Sequence, residues 1–215
     1  KEDCLTCPLC ISRETELYHT DQDRDYLVCP QCSLVFVPPE FHLPPEEEKA
    51  RYDLHQNDPS QVGYRRFLSR LMDPLTVRVH PPARGLDFGS GPGPTLSVML
   101  EDKGYDMTIF DKYYADEPSR LQATYDFITC TEVVEHLTSP KKTFDLFLAM
   151  LRPGGWLGVM TKLTHNAERF ASWHYIQDPT HICFFSRETF VWLAQALNLH
   201  LEFAGNDVIL LQRSS

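Results

Sequence analysis

Hydrophobic positions change their period along this chain. Residues 26–28 and 34–37 are short apolar runs set in polar sequence, while residues 46–79 repeat apolar positions at helical spacing, with Tyr64, Phe67, Leu68, Leu71 and Met72 on one face. From residue 84 onward apolar runs alternate with helical stretches. The runs 84–88, 106–110, 125–130 and 156–161 predict strands, and 95–103, 140–151 and 186–197 predict the helices between and after them. Gly104 stops the first of these helices, and Arg152-Pro153-Gly154-Gly155 stops the second with a tight turn. Ser186 opens the third with an imperfect capping box, because Glu188 stands one place early and Thr189 holds the position that would carry the acid. Two final runs, 199–204 and 208–212, joined across Gly205-Asn206-Asp207, predict a hairpin. The alternation specifies a doubly wound α/β sheet, closed here by a terminal antiparallel hairpin.

Prolines divide the chain. Pro38-Pro39 through Pro44-Pro45 is a stiff connection, so residues 1–38 stand as a small N-terminal module, 39–80 as a linker and helical lid, and 81–215 as the main domain. A length of 215 residues suits one catalytic-sized domain plus an appendage. No apolar run approaches the ~18–20 residues of a membrane span, and the opening KEDCLTCPLC has no signal-peptide character, so a cytoplasmic protein with no membrane partner is expected.

Cysteine usage changes the picture of the first module. Five of the seven cysteines fall within the first 32 residues, which argues for metal rather than disulfides. Cys7-Pro8-Leu9-Cys10 and Cys29-Pro30-Gln31-Cys32 are two C-P-x-C knuckles. Each offers two sulfurs, and a tetrahedral Zn²⁺ takes four, so Cys7, Cys10, Cys29 and Cys32 form the expected closed site of a zinc ribbon. Four thiolates leave no open position, which makes the site structural, in a module whose folding depends on its metal. Cys4 makes a further C-x₂-C step with Cys7, and a ligand set that uses it stays open. Zinc on four thiolates adds −4 + 2 = −2 and takes the formal net charge from −10 to about −12. Non-specific attraction to nucleic acid is therefore disfavoured; Arg65-Arg66 and Lys141-Lys142 are the only short basic pairs of note.

The best-specified stretch is 85–94, GLDFGSGPGP. Gly89, Gly91 and Gly93 allow a sharp turn and close approach to a ligand, and Pro94 suits the first turn of the next helix. A dinucleotide fingerprint reads G-x-G-x-x-G and leaves a helix N-terminus open to pyrophosphate. Here the spacing is G-x-G-x-G, Asp87 precedes it, and Pro92 and Pro94 remove two N–H donors. The loop suits a cationic, phosphate-free ligand. Asp111 ends the next strand, 111 − 91 = 20 positions beyond the second glycine, where a carboxylate can accept both hydroxyls of a ribose.

The run D-x-G-x-G-x-G at 87–93 resembles motif I of the class I S-adenosylmethionine-dependent methyltransferases. Residues 127–136, FITCTEVVEH, resemble the fourth-strand motif of the same superfamily, with its V-x-E-H-like turn. Leu151-Arg152-Pro153-Gly154-Gly155 before a strand is frequent in these enzymes, and the closing hairpin is their variation on the doubly wound sheet. The resemblance covers most of residues 46–213. It implies a Rossmann-like methyltransferase domain that binds S-adenosylmethionine and passes its methyl group directly to an acceptor. It implies that Gly89 and Gly91, with Ser90 between them, lie under the methionine portion and that Asp87 polarises its amino end. It sets Asp111 and Lys112 at the ribose, Cys130, Thr131 and Glu132 beside the methionine, and His55 and Tyr64 on the covering lid; a solvated helix end is the other reading of 51–58. The chain departs from the pattern at 112–124, too short for the usual helix and third strand, so that strand must be short or irregular and no adenine contact is assigned.

The connection 165–185 carries Trp173, His174, Tyr175, Asp178, Thr180 and His181, and in an open α/β sheet it sits at the carboxyl ends of the strands, where ligands bind. It is either an acceptor pocket or an aromatic surface with His181 as a core histidine. His181 is the first candidate for a catalytic base, followed by Tyr175 and His174. His136 is a base or a helix-entry residue bonded to backbone. Zinc ribbons precede sugar C-methyltransferases and certain ribosomal RNA methyltransferases; the acidic balance favours a small-molecule acceptor over RNA. The alternatives are a module that binds the cofactor without turnover and docks a partner through the ribbon, an RNA methyltransferase that docks its substrate through the ribbon, and a zinc-dependent nucleic-acid binder.

Overall fold

The computed structural model describes residues 5–54, 58–164 and 166–215. Its centre is the predicted sheet. Strand β4 (Arg84–Phe88) lies parallel to β5 (Asp106–Phe110) on one side and to β6 (Tyr125–Thr131) on the other, and β6 is parallel to β7 (Leu151–Met160). The hairpin β9 (Leu199–Phe203) and β10 (Val208–Arg213) follows, with β10 antiparallel to both β7 and β9, giving the order β5-β4-β6-β7-β10-β9. Because the chain leaves β4 in one direction and returns to its other flank, the carboxyl ends of β4, β5 and β6 flank a topological switch point.

The strands bury both faces, as parallel strands under two layers of helices must. Along β10, Val208 and Leu210 join one apolar cluster while Ile209 and Leu211 join the other. The first cluster takes α2 (Val62–Thr76) and α3 (Thr95–Glu101); the second takes α4 (Pro140–Met150) and α6 (Arg187–Ala196). In α2 the buried residues are Leu68, Leu71, Met72 and Leu75, one stripe of the helix. Gly158 of β7 admits this helix closely: a Cβ there would lie 2.8 Å from Leu71 Cδ1. The capping box of α6 is complete, with Thr189 supplying what glutamate usually does; Ser186 Oγ accepts the Thr189 amide at 3.1 Å and Thr189 Oγ1 accepts the Ser186 amide at 3.2 Å.

Several local expectations are corrected. The helical stretch 46–79 is two helices, α1 (Pro45–Tyr52) and α2, since the polar residues between them offer no apolar face to bury. Strand β7 begins at Leu151 rather than 156, with a shift of register between Tyr125 and Phe127 of β6 that lets the Pro-Gly-Gly turn bulge outward. In place of a third strand, residues 112–124 hold a single bridge between Asp111 and Ala115 and a 3₁₀ turn at Pro118–Gln122; no strand occurs there among the described residues.

The N-terminal module makes a second sheet from β1 (Glu16–Thr20), β2 (Asp25–Val28) and β3 (Val35–Phe36), antiparallel throughout. Its fourth strand is β8 (Cys183–Phe184), from the connection after β7, paired through Val35↔Phe184 and Phe36↔Cys183. Tyr26, Val35 and Val37 share one apolar cluster with Phe170, Tyr175, Ile182 and Phe184, while Cys7, Leu9, Cys29 and Leu34 belong to the core under the main sheet. Among the described residues no helix is long and apolar enough to cross a membrane.

Leu71 is fully buried at the contact with Gly158. Leu71→Ala should lower the unfolding free energy in urea by about 2–5 kcal/mol; a loss of less than about 0.5 kcal/mol would mean that α2 is not packed on β7.

Candidate functional site

The loop after β4 is shaped by its contacts with β5. The amides of Gly89 and Ser90 donate to Phe110 O at 2.7 and 3.3 Å, and Gly91 donates to Asp111 Oδ2 at 2.9 Å. Gly89 and Gly91 adopt φ of 77° and 66°, in the left-handed region that favours glycine. At Gly89 a Cβ would also fall 2.3 Å from Val133 Cγ2, so the missing side chain lets the loop close onto the turn that follows β6.

Asp111 is fixed from both sides. Its Oδ1 accepts the amides of Tyr113 and Tyr114 at 2.8 and 3.2 Å, while Oδ2 takes that of Gly91. The carboxylate is thereby oriented, with lone pairs left for further donors. Asp87 lies deeper, accepting Thr129 Oγ1 at 2.8 Å and Ser97 Oγ at 3.2 Å. Burial, with a smaller contribution from the Asp111 charge, pushes its pKa up to about 6.

Both acids line one cavity of about 430 Å³ that opens at the switch point. Ser90, Gly91 and Lys112 form its first end, and α2 covers it with Tyr64 and Phe67. Helix α1 straps the opening: Glu48 accepts Tyr52 and Tyr113 hydroxyls at 2.8 and 2.6 Å and pairs with Lys112 at 2.7 Å. Tyr52 also meets the ring of His136 edge-on, at 5.3 Å between centroids.

The second end of the cavity is polar. Thr131, Glu132, Glu135, His136, Asp178 and His181 line it. Glu132 adopts a left-handed φ of 52°, a strained turn that carries its side chain away from the strand direction. Thr131 Oγ1 and Glu132 Oε1 are buried with no hydrogen-bond partner among the described residues. Tyr175 lies behind them, donating its hydroxyl to Glu135 and lying 3.4 Å from Glu132 Oε2, and Thr161 donates to Glu135 Oε2 at 3.1 Å. Burial raises the pKa of both glutamates, and their mutual repulsion raises that of Glu132 further.

Two imidazoles complete this end. His136 Nδ1 lies 3.0 Å from Thr180 O and His181 Nδ1 lies 2.7 Å from Tyr175 O, so each Nδ1 carries the proton and each Nε2 keeps a free lone pair. Burial lowers both pKa values to about 4, the two rings being 4.8 Å apart. The segment that carries His181 is held by Arg24 from the β1–β2 turn. Its guanidinium donates to the carbonyls of Ile176, Asp178, Pro179 and His181 at 2.6–3.1 Å, and its Nε to Tyr26 Oη at 2.9 Å.

Of the expected positions, the structure brings Asp87, Gly89, Ser90, Gly91, Asp111, Lys112, Thr131, Glu132, Tyr64 and His181 to this cavity. Cys130 does not reach it; the alternation of β6 turns its side chain into the core, fully buried, with its thiol pKa raised by burial. Tyr175 stands behind the cavity wall as a hydrogen-bond donor, its phenol pKa raised by burial and then by Glu135, the opposite of what a base requires. His174 is exposed and lies 2.8 Å from Lys162 Nζ, away from the cavity. His55 is outside the described residues. Asp178, expected only as one of the residues of the 165–185 connection, also lines the cavity, and Glu135 was given no role; the spacing Glu132-x-x-Glu135-His136 just past a strand end was the signal for it.

The four knuckle cysteines converge as well. Cys7 and Cys32 Sγ are 3.5 Å apart, Cys10 and Cys29 Sγ 3.3 Å, and all four lie within 4.8 Å of one another. Zinc–sulfur bonds of about 2.3 Å in a tetrahedron set sulfurs about 3.8 Å apart, so the donor set fits this ion. Each knuckle closes alike, with Ile11 N bonded to Cys7 O and Ser33 N to Cys29 O, and with Ile11 and Ser33 both at positive φ. None of the six described cysteines is in a disulfide.

A glycine loop after β4, an acid following β5 and a polar turn ending β6 surround one cavity at the switch point of a sheet layered by helices on both faces, which is the arrangement of a Rossmann-like domain. Residues 63–202 match the family described as a methyltransferase domain, and the chain belongs to that family. Among solved structures it is similar to an S-adenosylmethionine-dependent methyltransferase from Archaeoglobus fulgidus, with a TM-score of 0.53 at 15% identity, covering 68% of this chain and 93% of the other. A methyltransferase structure from Methanosarcina mazei gives a TM-score of 0.51 at 15% identity, covering 66% and 97%. Among curated proteins it is similar to a ubiquinone biosynthesis O-methyltransferase of Vibrio parahaemolyticus, 30% identical over 71 residues, which are 33% of this chain and 30% of that protein. The matches to the first curated relatives span about a third of their length.

Because the Gly89 site has neither the φ nor the space for a side chain, Gly89→Val should weaken binding of S-adenosylhomocysteine by roughly tenfold or more in calorimetry; an unchanged affinity would remove this loop from the cofactor site.

Proposed function

We propose that the chain is an S-adenosylmethionine-dependent methyltransferase acting on a small-molecule acceptor. The observation that carries this reading is the continuity of one cavity from the glycine loop and Asp111 to the Glu132–His181 end. S-adenosylmethionine supplies a methyl group already activated by its sulfonium, so the protein's main tasks are alignment and exclusion of water. In this reading Asp111 receives the ribose hydroxyls, with Tyr113 and Tyr114 amides holding it in place. Gly89, Ser90 and Gly91 bear on the methionine portion, and buried Asp87 favours its ammonium end. Helices α1 and α2 close over the top. The polar end takes the acceptor, and His181, with its free Nε2, is the base candidate that faces it.

The cavity volume supports a small acceptor, and the net charge of −10 argues against a nucleic acid. The N-terminal module is read as a zinc ribbon built on Cys7, Cys10, Cys29 and Cys32. Its sheet is continuous with β8, so metal loading supports the acceptor side of the cavity through the pairing of β3 with β8.

Calorimetry on zinc-replete protein should give saturable binding of S-adenosylhomocysteine; its absence would refute the reading. Product formation across a panel of small hydroxyl, amine and carbon acids separates turnover from binding alone. Cys29→Ser should abolish zinc retention measured by elemental analysis and lower the thermal midpoint; full zinc retention would exclude the ribbon assignment.

A further inference from the structure

The polar end of the cavity holds more ligating chemistry than a single base requires. Ligand atoms of Glu135, His136 and His181 lie within 4.8 Å of one another. Both imidazoles line the cavity and are tethered through Nδ1 to backbone carbonyls, which fixes the tautomer with an unprotonated Nε2. Glu135 is fully buried, and its two oxygens are oriented by Tyr175 and Thr161. Beside it Glu132 turns a carboxylate oxygen with no partner among the described residues, on a backbone strained to carry it there. Asp178 Oδ2 stands 3.8 Å from His181 Nε2.

From this arrangement we propose that Glu135, His136 and His181, with Glu132 beside them, bind a divalent first-row cation at the acceptor end of the cavity. Two imidazoles and carboxylate oxygen suit Mn²⁺, Fe²⁺ or Zn²⁺ rather than Mg²⁺ or Ca²⁺, which take oxygen alone. The site is distinct from the knuckle cysteines, whose soft thiolates hold zinc and leave nothing for a harder ion such as Mn²⁺. The arrangement is also crowded with acceptors: the carboxyl groups of Glu132 and Glu135 share the Tyr175 hydroxyl, and two imidazoles and Asp178 line the same end of the cavity. A cation relieves this. The three-sided hold on His181 from Arg24, Tyr175 O and the β3–β8 pairing means the ligands are arranged before the ion arrives.

The consequence for substrate class rests on the methyl-transfer reading. A Lewis acid at this end selects an acceptor that presents a hydroxyl oxygen, and favours one with a second oxygen next to it that can share the ion. With the ion beside it Glu132 is held as a carboxylate; the acceptor O–H bond breaks and its proton passes to the Glu132 oxygen that the ion leaves free. The oxygen forms a bond to the methyl carbon, and the carbon–sulfur bond breaks with its electron pair left on sulfur. The products are a methyl ether, S-adenosylhomocysteine and one proton. His181 then serves as a ligand rather than as the base.

The test uses the full zinc-loaded chain and Mn²⁺ alone as the probe. Loss of the free Mn²⁺ resonance should show one ion bound per chain beyond the zinc, and the electron spin-echo spectrum of the bound ion should carry nitrogen couplings from imidazole. His181→Asn and Glu135→Gln should each weaken Mn²⁺ binding by about 10- to 100-fold. Affinity for S-adenosylhomocysteine, measured on the same samples, reports the fold and the cofactor end independently. No Mn²⁺ bound by the wild-type chain, bound Mn²⁺ without nitrogen coupling, or equal affinity in wild type and both variants overturns the proposal. Loss of S-adenosylhomocysteine binding by the wild type, with Mn²⁺ binding intact, would instead sink the methyl-transfer reading and leave the cation site standing.

Discussion

The guanidinium of Arg24 is buried, and all of its hydrogens are taken by oxygen: four backbone carbonyls of residues 176–181 and the hydroxyl of Tyr26, which in turn donates to Asp21 at 2.6 Å. A charge withdrawn from water in this way is tolerable only because each donor is satisfied. The carbonyls on the other side are those of an irregular segment with no ladder of its own. Arg24 gives that segment the partners that a strand or helix would have given it, and the segment then presents Asp178 and His181 to the cavity. The small N-terminal sheet thus backs the segment that walls the site.

The same dependence runs through Ile182. Its amide donates to Glu135 O and its carbonyl accepts from Val37, both at 2.8–2.9 Å. One residue therefore joins the turn after β6 to the chain leaving β3. The turn that carries Glu132, Glu135 and His136, the loop that carries His181, and the cysteine knuckles are connected by backbone hydrogen bonds, so displacement of one is felt by the others.

The doubly wound sheet, its closing hairpin and the glycine loop were legible in the sequence because each rests on local signals: short apolar runs between helical stretches, glycine spacing, an acid at a strand end. The knuckles were legible for the same reason. What was not legible depends on partners distant in sequence. Nothing near Arg24 announces that its hydrogen bonds lie beyond residue 175, and two apolar residues at Cys183–Phe184 are too short a run to be read as a strand until β3 lies beside them. Cys130 was expected at the cofactor, yet its neighbour Thr131 faces the cavity and the alternation of β6 sends the thiol inward. Thr189 in the capping box shows a smaller case, in which a hydroxyl does the work of the absent acid because it needs only one lone pair.

The pairing of Val35 with Phe184 has a consequence for how the chain is made. During synthesis the knuckles and the first three strands emerge early, but their sheet keeps an open edge until the stretch after β7 has left the ribosome. An unpaired edge of apolar residues is prone to association with other chains. The edge closes only when Cys183 and Phe184 arrive beside Val35 and Phe36, so the first module to be synthesised is among the last to be completed.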